Sequence, residues 1–369
     1  NLKEVTSMDH LEYLNRSADR RIVDLAGMTT LLSLTRRWIW LTFGICSMSV
    51  SAETRIGVGS CFDQAKSPAI WEQIASEDLG GFLFLGDNVY ASRHFSEVNL
   101  KAAYERASSV IPWHQLGFVH ATWDDHDFGQ NDGGSDFMGQ SISRRLFWQF
   151  FGPHMDVQQA SPYGVYHSAI REIEGHQIQF IALDTRSFRG QLKPTLLRNT
   201  PGAERYVPNF DLSQSMLGEE QWTWLEDALK RPADIRILMS SIQILAEGHG
   251  WERWGNLPHE RDRLLEMLRL RLPSDLLLVS GDRHVGGAYE LVFEGERFIE
   301  ITSSGLNMAW SRATEYLPNQ IGDPIRENHY AVISITKDGL DKVVWHGRRG
   351  DPLAFVNVGR QENRFFDDY

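Results

Sequence analysis

The stretch that most constrains this chain is Trp123-Asp124-Asp125-His126-Asp127-Phe128-Gly129-Gln130-Asn131-Asp132, which comes directly after the apolar run 117–122. Such a run reads as a buried strand, so four acids, a histidine and an asparagine arrive together at a strand end. Close carboxylates repel and raise one another's pKa unless a cation or water intervenes. The stretch is therefore either a solvated loop or part of a metal site. It does not read as a calcium hand, because Gly129 stands where an oxygen ligand belongs and no glutamate closes a twelve-residue loop.

The same event recurs along the chain. The strand expected over 54–60 ends at Cys61, and the apolar run 81–85 ends in Gly86-Asp87-Asn88-Val89-Tyr90. The run 275–279 ends in Ser280-Gly281-Asp282-Arg283-His284. Helices are expected over 68–76, with Ser67 as cap, and over 96–106, 143–151, 218–230 and 260–271. A hairpin through Glu174-Gly175 joins 164–173 to 176–183, and its second strand ends in Asp184-Thr185-Arg186. A strand is expected over 235–241, whereas 191–217 has no period and reads as a long, functional surface loop. Strands over 287–293, 297–302, 330–336 and 342–346 form an antiparallel tail. Alternating strands and helices, then meandering strands, predict an α/β fold of two mixed sheets packed face to face, with helices outside. In open α/β sheets, sites gather where strands end.

The chain's 369 residues, with 42% hydrophobic content and a formal net charge of -12, suffice for a large core and argue against a general nucleic-acid or anionic-membrane binder. No repeat or linker divides it. Three parts are expected: an N-terminal extension or leader over 1–27, a signal peptide over 28–52 and one catalytic domain over 53–369. The signal reading rests on Thr35-Arg36-Arg37, the apolar run 38–50 and the small residues Val50-Ser51-Ala52. The run is too short to span a bilayer comfortably. Paired arginines favour twin-arginine export, with the Sec route or a plain N-terminal helix as alternatives, and imply a secreted or periplasmic protein. Cys46 would leave with the leader, so the mature chain would keep one thiol, Cys61, and no disulfide.

Taken as one set, the strand-end residues are Cys61, Asp87, Tyr90, Asp125, His126, Asn131, Asp282 and His284. Asp282-Arg283-His284 would place its acid and imidazole on one side of an extended segment. Each piece has a bland reading: Gly86-Asp87-Asn88 is a turn signal, Cys61 a small buried hydrophobe, His284 a core histidine. Four strand ends that all carry ligand types argue otherwise. Thiolate and phenolate suit trivalent iron, whereas Asp and Asn oxygens suit calcium, magnesium or manganese. Arg186 is either a phosphate clamp, with its paired donors, or an ion pair.

These residues resemble the PhoD-like metallophosphatases. The likeness lies in Gly59-Ser60-Cys61-x-x-Gln64, Gly86-Asp87-Asn88-x-Tyr90, Ala121-Thr122-Trp123-Asp124-Asp125-His126-Asp127 with Asn131-Asp132, Ser280-Gly281-Asp282-x-His284 and Thr302-Ser303-Ser304-Gly305-Leu306. The resemblance implies a calcineurin-like four-layer αββα sandwich, an Fe(III) and Ca(II) site, and frequent twin-arginine export. It makes Cys61, Tyr90 and His284 iron ligands, Asp87 the bridging carboxylate, and Asp125, Asn131 and Asp282 holders of the second cation, for which Mg, Mn or Zn are alternatives. His126 would neighbour the phosphate and its leaving group, oriented by Asp127 or another acid. Arg283 departs from the small or apolar residue more usual within Asp-x-His. The segment 248–261 is read as plain packing or pocket rim, packing being preferred.

The function expected is hydrolysis of a small or polymeric phosphate ester, as an alkaline phosphatase or phosphodiesterase, by a hydroxide that two cations activate. His126 and Asp87 are its catalytic residues and Arg186 its substrate contact. The alternative is a secreted, metal-stabilised binding protein without catalysis.

Overall fold

The computed structural model describes residues 53–359 apart from 92–93, 158, 272–274 and 316, so the expected leader lies outside the described residues. Sixteen strands run in chain order as β1 (Glu53–Gly59), β2 (Gly81–Leu85), β3 (Phe118–Thr122), β4 (Gln159–Ala160), β5 (His167–Ile173), β6 (His176–Ala182), β7 (Lys193–Pro194), β8 (Tyr206–Val207), β9 (Ile235–Met239), β10 (Asp275–Ser280), β11 (Gly286–Phe293), β12 (Glu296–Ser303), β13 (Gln320–Ile325), β14 (His329–Thr336), β15 (Gly339–Gly347) and β16 (Pro352–Asn357). The α-helices are α1 (Ile70–Ala75), α2 (Glu97–Ser108), α3 (Asp125–Phe128), α4 (Gln140–Phe151), α5 (Gly218–Leu229) and α6 (Pro258–Arg269).

The strands form a six-stranded sheet, β16-β15-β14-β1-β2-β3, an eight-stranded sheet, β13-β11-β12-β10-β9-β6-β5-β4, and a small ribbon of β7 with β8. Period-two burial explains why the two large sheets stack. In β2, Leu83 and Leu85 join a core with Phe180, Ile237 and Val279 of the other sheet, while Phe82 and Phe84 turn outward onto Trp71 of α1 and Phe151 of α4. In β10, Leu277 and Val279 face the same inter-sheet core, and Leu278 faces Leu225 of α5 and Leu264 of α6. The result is helix, sheet, sheet, helix.

Parallel pairing sets where the site falls. In the first sheet β1, β2 and β3 run parallel, and in the second β6, β9, β10 and β12 do. Their C-terminal ends meet, and side chains lace them together. Ser60 Oγ donates to Ser303 O at 3.0 Å, Ser303 Oγ to Val58 O at 2.9 Å, and Thr122 Oγ1 to Leu183 O at 2.6 Å.

Several details differ from the sequence-based expectation. The helix at 68–76 shortens to Ile70–Ala75, with Ala69 rather than Ser67 at its cap. The antiparallel tail divides, β11–β13 extending one sheet and β14–β16 the other. The stretch after β3 is not a plain loop, since Asp125–Phe128 closes one helical turn in which Asp124 N donates to Asp127 Oδ2 at 3.1 Å.

Candidate metal centre

The loops that leave the parallel strands turn sharply into the same space. Among the described residues nine non-glycine positions have positive φ, and Cys61, Asp87, Asp132, Asp282 and His284 are five of them. A left-handed residue with a Cβ costs roughly 1 kcal/mol or more, so five in one place mark a conformation that the surrounding contacts impose. Gly86, at φ 96°, could not carry a side chain, because a Cβ there would lie 2.5 Å from Asp124 Cβ. Two backbone hydrogen bonds, Cys61 N to Gly86 O at 3.3 Å and Phe62 N to Asp87 O at 2.9 Å, hold the first two loops side by side.

Asp87 sits between two sets of donors. Cys61, Asp87 and His284 bring ligand atoms within 4.8 Å of one another, and so do Asp87, Asp125 and His126. Tyr90 Oη donates to Asp87 Oδ2 at 2.7 Å and lies 3.4 Å from His284 Nε2. Asp87 Oδ1 accepts from the His126 backbone N–H at 3.2 Å. His284 is fixed by Met308 O at its Nδ1 and by Ser304 Oγ, 2.6 Å from its backbone nitrogen. Asn131 and Asp282 line, with Asp87, Asp125 and His126, a cavity of about 380 Å³. Of the seven residues expected as metal ligands, Cys61, Asp87, Asp125 and His284 fall in these close groups and Tyr90 bonds Asp87, while Asn131 and Asp282 share the cavity wall. Asp282-Arg283-His284 reaches this arrangement differently from expectation. It is not extended: φ values of 65° and 55° at Asp282 and His284 turn the chain at both residues, and Arg283 also lines the cavity.

Electrostatics set this cluster apart. Burial first, then Asp125, Asp124 and Asp127, push the Asp87 carboxyl well above the usual carboxylate range. Asp282 is raised in the same way by burial and by Asp124 and Glu252. Burial and Asp87 also raise the Cys61 thiol and the Tyr90 phenol. Burial lowers His284, leaving its imidazole neutral, the form that ligates. Among the described residues neither Asp87 nor Asp282 forms an ion pair with lysine or arginine. A set of thiol, phenol, imidazole, carboxylates and carboxamide in which no lysine or arginine makes a close ion pair with Asp87 or Asp282 fits bound metal ions, which would displace the protons.

Two expected roles need correction. Arg186 cannot clamp a phosphate, because its guanidinium is fully buried and spent on Asp124 Oδ1 at 2.5 Å and Glu252 Oε1 at 2.9 Å. Asp127 does not orient His126; it turns back to accept from Asn88 N at 3.1 Å and from Tyr104 Oη at 3.4 Å. His126 instead packs against Tyr90, with ring centroids 4.1 Å apart and planes tilted by 36°, and its Nε2 lies 4.0 Å from Asp125 Oδ1. Nor is the segment 248–261 only packing: Trp251 and Glu252 line the cavity, while Trp254 is core.

Sequence reasoning missed Lys66, Arg205, Met308 and Trp310 as cavity residues. Arg205 comes from the aperiodic stretch 191–217, whose ribbon β7–β8 carries it to Asp132 at 2.9 Å. No motif marks these positions.

Four layers with a donor cluster where the parallel strands of both sheets end define the calcineurin-like metallophosphoesterase fold. Within that class the chain belongs to the PhoD-like phosphatase family, whose model matches residues 101–334. Alkaline phosphatase D of Bacillus subtilis (strain 168) is 26% identical over 228 residues, 56% of this chain and 37% of that relative, so the chain matches well under half of its length. The structure titled "Structure of PhoD" superposes with TM-score 0.57 at 18% identity, covering 83% of this chain and 68% of that one. GAP50, the anchor in the inner membrane complex of Plasmodium, gives 0.55 at 12% identity, with 85% and 90% covered. A purple acid phosphatase from yellow lupin (Lupinus luteus) seeds gives 0.54 at 10%, with 84% and 54% covered. The fold thus serves a named anchor as well as phosphatases, and activity has to be argued from the site.

Proposed function

We propose that the chain is a metal-dependent phosphoric ester hydrolase of the alkaline phosphatase D type. The observation that carries this reading is Asp87, one carboxylate placed within ligand distance of two different donor sets and open to a cavity. Cys61, Tyr90 and His284 with Asp87 would hold the first cation, best suited to Fe(III) by their thiolate and phenolate. Asp125, Asn131 and Asp282 with Asp87 would hold the second, Ca(II) or else Mg, Mn or Zn, by their oxygens. When bound, such a pair supplies the positive charge that draws in a phosphoryl group, stabilises the leaving oxygen and acidifies water.

The chain's own residues do the rest. His126 faces the cavity from the turn that Asp87 Oδ1 pins, and Tyr90 and Asp125 flank its ring. It would pass a proton to the departing alcohol oxygen or stabilise its charge. Tyr90 Oη and the His126 N–H together fix both oxygens of Asp87, so the bridging carboxylate is oriented before any cation arrives. A binding-only role gives no reason for a cavity opening onto these acids. The leader pattern of residues 35–52 supports export to the periplasm or exterior, with the twin-arginine or Sec machinery as a transient partner. Among the described residues no helix is long and apolar enough to cross a membrane.

The test is release of p-nitrophenolate from p-nitrophenyl phosphate and bis-p-nitrophenyl phosphate by metal-loaded protein. Asp87→Ala should lower kcat by about 1,000-fold or more, and His126→Ala by roughly 100-fold on phenyl phosphate and by less on the two p-nitrophenyl esters, whose common leaving group is less basic. Wild-type turnover by Asp87→Ala would remove the proposal.

A further inference from the structure

We propose that the cavity wall built from Trp251, Trp310 and Arg283 is a subsite for a planar aromatic group, so that the preferred substrates are phosphoric diesters with one aryl or heteroaryl ester arm. This rests on the hydrolase reading of the adjoining centre.

The wall begins where the donor cluster stops. Arg283 lies between Asp282 and His284, and Trp310 N–H donates to His284 O at 2.6 Å. A group held there is therefore within reach of a phosphoryl centre placed at Asp87. At about 380 Å³ the cavity is also in the size range of pockets for organic ligands and leaves room beyond a phosphoryl group.

What the wall offers is flat and apolar rather than charged. Trp251 and Trp310 meet edge to face, with centroids 5.7 Å apart at 89°, and Trp310 stays 36% exposed. The guanidinium carbons of Arg205 and Arg283 lie 5.1 and 5.3 Å from the Trp251 ring. Each cation is already matched, Arg205 by Asp132 at 2.9 Å and Arg283 by Glu315 at 3.1 Å. The wall is thus nearly neutral and is not built to attract a second anionic group. Glu315 also accepts from Trp251 Nε1 at 2.7 Å, so a single carboxylate fixes indole and guanidinium relative to each other. A prearranged set of indole rings and guanidinium planes rewards stacking, whereas a flexible alkyl arm would gain only buried area.

The test uses metal-loaded full-length protein and diesters that share the p-nitrophenolate leaving group but carry methyl, cyclohexyl or phenyl as the second arm. The phenyl ester should exceed the cyclohexyl ester in kcat/KM by about 3- to 10-fold, the range set by aromatic pairing beyond area. The advantage should reside in KM. Trp310→Ala should bring the two esters to within about twofold, while Trp310→Phe should keep most of the preference, which separates a lost platform from a misfolded wall. Equal rates for phenyl and cyclohexyl arms in the wild type, or a preference that survives Trp310→Ala, would overturn the subsite and leave the hydrolase reading standing. No turnover on any of the three esters would also overturn the subsite, and the hydrolase reading falls with it only if p-nitrophenyl phosphate is left uncleaved as well.

Discussion

Two acidic clusters lie buried side by side beneath the cavity, and they are built differently. In one, Asp124 and Glu252 face Arg186 and Arg189 at 2.5 to 3.0 Å, two carboxylates against two guanidiniums from the chain itself. In the other, Asp87, Asp125 and Asp282 line one cavity with no lysine or arginine in a close ion pair with them among the described residues, although Arg186 and Arg283 act on Asp125 and Asp282 from farther off, and Cys61, Tyr90 and His284 adjoin them. Burial penalises ionised carboxylates in both. The closed cluster answers with covalently supplied charge and becomes a strut under the site. In the proposed function the open cluster leaves the answer to imported cations. A buried acid is thus informative according to the groups that face it.

The contrast is sharpest in stability. Arg186→Met should cost about 3–5 kcal/mol in chemical denaturation, with or without metal, because it leaves Asp124 and Glu252 without their main partner. Asp87→Asn in metal-free protein should raise stability or leave it within about 1 kcal/mol, the worth of one hydrogen bond, since the raised carboxyl favours its neutral form there and pairs with no lysine or arginine. If the two variants destabilised alike, the clusters would not differ as described.

A smaller effect is linked to pH. Because the folded Asp87 and Asp282 carboxyls lie above their ordinary values, their protons stabilise the metal-free fold at low pH, and that contribution is lost as pH rises through the folded values. Cations displace the same protons, so cation affinity should strengthen from pH 5 to pH 7, and calorimetry in two buffers should register proton release. Saturating cation at about 100 times Kd should add roughly 2.7 kcal/mol to the wild type and much less to Asp87→Asn.

The smallest change probes the link between cavity mouth and ligands. Asp132 N donates to Asp125 Oδ2 at 2.8 Å, while its carboxylate takes Arg205 at 2.9 Å and Tyr206 Oη at 2.6 Å. Asp132→Asn should weaken the second cation by about 10-fold while moving stability by less than about 1 kcal/mol, because the Arg205 pair is half exposed.

Much of the site was legible in the residues because parallel strands buried on both faces are uninterrupted apolar runs, and the polar residues just past their ends are the proposed ligands. The ends at Asp87, Asp125 and Asp282 were visible on that ground, and Cys61 from a strand read by its alternation. Contacts between distant segments were not. Arg186 looks like a free cation after a strand, and only the fold brings it to Asp124, 62 positions away. Asp127 stands beside His126 in sequence, yet the single turn of α3 sends it to Asn88. The edge strands β13 and β16 carry mixed, half-exposed side chains without clean alternation, so they left little trace. Arg205, Trp251 and Trp310 serve the cavity from loops whose course no local periodicity dictates.

The most direct test of the central claim, that Asp87 bridges two cations, is metal content by inductively coupled plasma mass spectrometry on purified wild type and Asp87→Ala. The wild type should carry two ions per chain, one of them iron, and Asp87→Ala one or none. A folded wild type with neither iron nor a divalent ion, or a variant retaining both at wild-type occupancy, would contradict it.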